Sequence, residues 1–198
     1  MPKVVDHDER RRQIAAAVSE IAATDGLGDV SFRTVAARAG MSVSLIQHYF
    51  GDKANLLKTT LELQSEALAV HIASQLGELG ADPEPSAVLR AVAYAFLPLD
   101  DTSRRSMLVY HGFAGAALTD PALRGSEMFA GGRGLIEVLA AQIGQVERVD
   151  GRRPASPELD ATGLVSLLLG LSMAVLLEQT TAAEATAVLD RHLDLLTA

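Results

Sequence analysis

The chain has 198 residues, 48% of them hydrophobic and 4% aromatic, with a formal net charge of −8. That size allows one large domain, or a small domain joined to a larger one, with enough apolar side chains for a real core. Cysteine is absent, which excludes disulfides, thiol chemistry and zinc-thiolate sites.

The charge is unevenly spread. Through Lys58, eight basic side chains face seven acidic ones, a net of +1, whereas the remainder carries nine arginines, no lysine and eighteen carboxylates, a net of −9. Phosphate is repelled by the second part and not by the first, so nucleic acid fits the first segment alone. The opening MPKVVDHDERRR has no apolar stretch of the secretory kind, and a cytoplasmic location is expected. The longest apolar run, GLVSLLLGLSMAVLLE, contains Gly, Ser and Glu; it reads as a buried helix or an interface in preference to a membrane span.

Ala and Leu dominate and β-branched runs are few, which favours helix. A first helix is predicted from about Asp8 to Thr24, with Ile14, Val18 and Ile21 forming one stripe and Gly26 as its stop. Ser31 offers an N-cap to FRTVAARA, Gly40 ends that short helix, and Ser42 caps VSLIQHY. Asp52 caps a long fourth helix whose apolar side is Leu56, Leu57, Leu61, Leu63 and Leu68. The segment GELGADPEPS is the clearest break. Beyond it, helices are predicted over about 87–97, 102–118 and 121–145, then a polar loop VERVDGRRPASP, then helices over about 158–179 and 182–197. No strand pattern is found. The fold class is all-α, with three helices in a helix-turn-helix layout over residues 1–55 followed by a helical domain over 56–198.

The short helices around Gly40 carry the functional signal. Ala36 is small where two helices must cross, Gly40 can take a left-handed turn, and Ile46 would lock the second helix inward. Ser42, Val43, Ser44, Leu45, Gln47 and His48 are then left on or near the outside, where polar tips reach base edges and Val43 or Leu45 meets a thymine methyl. On spacing alone, a helical hairpin that touches nothing remains an equal alternative. The longer stretch VAARAGMSVSLIQHYFGDKANLL resembles the signature of TetR-family transcriptional regulators. Its His-Tyr-Phe-Gly form is similar to regulators of the choline-to-betaine operon type, and FLPLDDTSRRSMLVYHGFAGAALTDPAL resembles that subgroup's effector domain.

The resemblance implies that Tyr49 and Lys53 hold the DNA backbone, with Ser31, Thr34 and Ser42 as further phosphate ligands. Arg33 falls where some family members read a base. Phe50 is expected in the core, and Arg10 to Arg12 either reach phosphate or solvate the first helix. Val43, Ser44 and Leu45 supply few strong base-reading groups, which leaves the operator sequence open. In the acidic part, Phe96, Met107, Tyr110, His111, Phe113 and Met173 are the candidate ligand-binding residues, with His111 beside Tyr110 as the polar pair. The lack of Trp disfavours a choline-like cation, which is usually held in an aromatic cage. A field of −9 disfavours anions, so a neutral or cationic effector is expected.

The five histidines show no metal-ligand spacing, and no Ser, His and Asp group suggests catalysis. No enzyme activity, metal or cofactor is expected. The last two helices carry Leu164, Leu167, Leu168, Leu171, Val175, Val188, Leu189, Leu193 and Leu196, with small Gly163, Gly170 and Ala174; the resemblance implies a homodimer through them. The reading is a ligand-responsive repressor that binds a palindromic operator as a homodimer, makes no membrane contact and is released by a small molecule. The alternative is a helical ligand- or partner-binding protein whose DNA-binding head does not function.

Overall fold

A computed structural model of the chain describes residues 7–125, 127–146 and 156–197. Among these residues there is no strand. The helices are α1 His7–Thr24, α2 Phe32–Ala39, α3 Val43–Phe50, α4 Lys53–Glu78, α5 Pro85–Tyr94, α6 Asp101–Ala117, α7 Pro121–Arg124, α8 Glu127–Gln145, α9 Pro157–Leu176 and α10 Ala182–Thr197, with one 3₁₀ turn at Leu27–Asp29.

The chain divides into two compact units. One comprises Met1–Glu66 with Leu108–Met128, the other Ala67–Met107 with Phe129–Ala198. In the first, α1 packs on α2 and α2 on α3. Ile14, Val18 and Ile21 of α1, Val35 and Ala36 of α2, Ile46 and Phe50 of α3, and Leu56 and Leu61 of α4 are buried. The i, i+4, i+7 stripe of α1 thus closes over the small side of α2, as its apolar period requires. In the second unit, Leu89, Val92 and Leu97 meet Leu139 and Ile143 of α8, Leu164 and Leu168 of α9, and Leu189 and Leu193 of α10 in one apolar cluster. Arg90 and Tyr94 of α5 are tied to α10: Arg90 donates to Asp190, and the Tyr94 hydroxyl donates to Asp190 Oδ1 at 2.7 Å.

Local chemistry sets the helix ends. Ser31 Oγ accepts from Thr34 N while Thr34 Oγ1 accepts from Ser31 N, a reciprocal cap. Thr181 and Glu184 form the same box at the start of α10, with Thr181 N donating to Glu184 Oε2 at 2.9 Å. Those bonds hold the Glu184 carboxyl below its ordinary pKa, the backbone donor of Thr181 first. Asp52 caps α4 by accepting from Asn55 N at 2.8 Å.

Two expectations are corrected, and one element is added. The single helix expected over 121–145 is two helices, α7 and α8. Gly125, a poor helix former, lies at the break, and Arg124 turns back to donate to the carbonyls of Ala117 and Leu118 at 3.1 and 2.8 Å. Helix α9 stops at Leu176, short of Gln179, because Glu178 adopts a left-handed φ of 57°. Gln179 N then donates to Ala174 O and Glu178 N to Val175 O, a Schellman ending built on a non-glycine residue. The 3₁₀ turn at Leu27–Asp29 carried no sequence signal. Most of the polar loop expected over 146–157 lies outside the described residues.

Candidate DNA-binding site and effector-binding residues

The turn between α2 and α3 needs Gly40. Its φ and ψ are 64° and 34°, which costs little only without a Cβ, and Met41 N closes the turn onto Ala36 O at 2.9 Å. Ile46 is buried on one side of α3 and Phe50 follows one turn later, so the opposite side faces outward. Val43, Ser44, Gln47 and His48 are exposed there and Leu45 is half-buried. The exposed polar tips of α3 with the chemistry to reach a base edge are those of Gln47 and His48, and Val43 is the exposed apolar one.

The flanking groups suit phosphate to different degrees. Lys53 is exposed at the first residue of α4, where an ammonium and a helix N-terminus act together. Arg33 is exposed on α2. Ser31 and Thr34 are committed to the cap, and the Thr34 hydroxyl also donates to Asp29 O at 2.7 Å. Ser42 Oγ caps α3 and lies 3.1 Å from Ser44 Oγ. The Thr34 proton already has a partner inside the chain, and Ser31 and Ser42 each have another hydroxyl within hydrogen-bond reach, so these residues offer phosphate less than Lys53 does. Arg12 pairs with Glu9 at 3.2 Å, and Arg10 donates to Gln13 at 3.1 Å, both along the surface of α1. Arg38 bridges α2 to Glu20 and Asp25 at 3.1 and 2.9 Å.

Tyr49 is half-buried, and its hydroxyl lies 3.0 Å from Nδ1 of His7 at the start of α1. Sequence reasoning did not single out His7. The two residues are 42 positions apart, and only the closure of α1 over the motif joins them.

The residues nominated for an effector fall in both compact units. Phe96, Met107 and Met173 belong to one, and Tyr110, His111 and Phe113 to the other. Phe113 and Met107 are fully buried. Tyr110 and His111 meet edge to face, ring centroids 5.4 Å apart. Burial pushes the Tyr110 phenol up and the His111 imidazole down, so both favour their neutral forms. Met173 lies on the outer face of α9. An open groove of about 420 Å³ in the second unit is lined by Pro98, Arg104, Val175, Glu178, Thr181 and Glu184, among others, and by none of the nominated residues.

The outer faces of α9 and α10 carry exposed apolar side chains among polar ones. Leu164, Leu168 and Val175 point into the core and Leu171 packs against it, so the outer side of α9 carries Leu159, Gly163, Gly170 and Met173 with polar Thr162 and Ser166 among them, and Leu177 is exposed just past its end. On α10, Val188 and Leu195 are exposed in the same way. Among the described residues, α9 is the one helix long and apolar enough to cross a membrane; five of its side chains are buried in the protein.

Comparison with known proteins places the chain. A model of bacterial regulatory proteins of the tetR family matches residues 14–60, and a model of the BetI-type transcriptional repressor C-terminal domain matches residues 85–198. A BetI regulator from Ectopseudomonas mendocina is 33% identical over 171 residues, covering 86% of this chain and 84% of its own. A solved transcriptional regulator from Rhodococcus sp. Rha1 superposes with a TM-score of 0.77 at 27% identity, covering 94% of this chain and 93% of its own. A regulator from Saccharomonospora viridis, solved with choline, superposes with a TM-score of 0.79 at 21% identity, covering 94% and 96%; that likeness bears on the fold.

The site and the matches define a helix-turn-helix transcriptional regulator, not an enzyme. The chain belongs to the TetR family, with a C-terminal domain of the BetI repressor type.

Proposed function

We propose that this cytoplasmic regulator is a homodimeric repressor. In this reading it binds a palindromic operator through α3 and releases it when a neutral or cationic small molecule binds the acidic C-terminal part. The observation that carries the DNA reading is the exposed row Val43, Ser44, Gln47 and His48 beside exposed Lys53. Gln47 and His48 read base edges, Lys53 and Tyr49 hold phosphate, and Ser31, Arg33, Thr34 and Ser42 are secondary contacts. Dimerisation is assigned to the outer side of α9 and to Val188 and Leu195 of α10, where Gly163 and Gly170 allow close approach. Leu171 packs against the protomer's own core, so the critical contact is assigned to Met173 and Leu177.

For the effector, neutral Tyr110 and His111 are the polar candidates of the first unit, with Phe113 as its apolar one, and Phe96, Met107 and Met173 are the apolar candidates of the second. A body with a net charge of −9 repels carboxylates and accepts amines, and a neutral His111 adds no positive charge to offset that field. Choline belongs among the compounds to test as a quaternary ammonium, although the chain has no Trp for a cage. The experiment is an operator-binding assay on purified protein with DNA flanking its gene. Saturable binding, reversed by neutral or cationic compounds, is the predicted result. Release by acidic metabolites alone overturns the charge argument, and no operator binding returns the chain to a ligand-binding protein with a silent head.

A further inference from the structure

His7 and Tyr49 come from opposite ends of the DNA-binding motif. His7 opens α1, Tyr49 sits near the end of α3, and Nδ1 and Oη are 3.0 Å apart. Their rings tilt by 49° with centroids 5.7 Å apart. Tyr49 also meets the ring of His48 edge-on and that of Phe50 at a tilt, contacts that set its ring plane. Among the described residues, His7 is the group that reaches its hydroxyl.

A proton count gives this bond its meaning. A phenol has one proton to donate, whereas a phosphate oxygen only accepts. If Tyr49 donates to Nδ1, it has nothing left for phosphate. If Nδ1 carries the hydrogen and donates to the phenol oxygen, the hydroxyl proton is free to point at DNA. The bond also fixes the hydroxyl before DNA arrives, which lowers the ordering cost of contact.

We propose that His7 is a positioning residue for DNA binding, its Nδ1–H donating to Tyr49 so that the phenol donates to a backbone phosphate. This rests on the reading of Tyr49 as a phosphate ligand. It adds a residue, and a required tautomer, at that contact.

Phosphate contacts act on all DNA, so the probe is a fluorescently labelled duplex of mixed sequence at low salt, titrated with the full-length protein and followed by anisotropy. Tyr49→Phe should weaken binding about tenfold, the scale of one hydrogen bond to a charged group. His7→Ala should weaken it about three- to tenfold with an unchanged melting temperature, since His7 is exposed. In the Tyr49→Phe background, His7→Ala should cost nothing further. His7→Gln, whose amide can donate, should restore most of the affinity, and adding duplex should move the His7 ¹⁵N shifts towards the Nδ1–H form. If His7→Ala binds like the wild type while Tyr49→Phe does not, the positioning role is overturned and the phosphate reading of Tyr49 stands. If Tyr49→Phe binds like the wild type, both fall. A His7→Ala loss that persists undiminished in the double variant means that His7 touches DNA itself, and also overturns the proposal.

Discussion

Lys53 and Gln47 are both exposed at the motif, yet they should fail in different ways. An ammonium at the start of α4 neutralises phosphate whatever the bases, so Lys53→Ala should weaken every duplex alike. It should also flatten the plot of log affinity against log salt by about one, the slope that a single neutralised phosphate contributes. Titrations at several salt concentrations check this, and an unchanged slope removes Lys53 from the backbone contacts. Gln47→Ala should instead change which sequence is preferred, by about 1–3 kcal/mol for a paired base. His111 titrates in the opposite sense to a stabilising ion pair. Burial lowers its pKa in the folded chain, so the unfolded chain binds the proton more readily. Its contribution to stability is full above the ordinary imidazole range and declines as pH falls through that range. Melting temperatures from pH 8 to pH 5 should therefore drop less in His111→Gln than in the wild type.

Helix ends reveal what sequence could and could not supply. Ser31, Gly40, Ser42 and Asp52 were legible because a cap or left-handed turn depends on residues within a few positions of each other. Gly40→Ala should cost about 1 kcal/mol through its positive φ alone, because no atom lies within 4 Å of an added Cβ. Glu178 was not legible: glutamate rarely ends a helix in the left-handed region, and nothing local announces it. Its strain predicts that Glu178→Gly stabilises the protein by about 0.5–1 kcal/mol in chemical denaturation. The His7–Tyr49 contact was hidden for the opposite reason. It exists only after 42 residues of chain close on themselves, and no periodicity encodes such a pair. Likewise, the leucine pattern of α9 showed that the helix is apolar on more than one side. Which side is core became clear only when Leu164 and Leu168 met Leu189 and Leu193.

At the scale of the whole molecule, the proposed function depends on two copies. Leu177 is 59% exposed and Met173 38%, so a charge at either should leave the protomer folded and desolvate unpaired charge only at a dimer contact. Leu177→Glu should sediment as a folded monomer with weak operator binding. A variant that stays dimeric moves the interface off α9. The central claim is that two recognition helices address one operator together. Selection of bound duplexes from a random pool by the purified protein tests it most directly. The account predicts recovery of an inverted repeat whose half-sites lie about one helical turn apart, roughly 34–36 Å. Recovery of a single, unrepeated half-site, or of no enriched sequence at all, contradicts it.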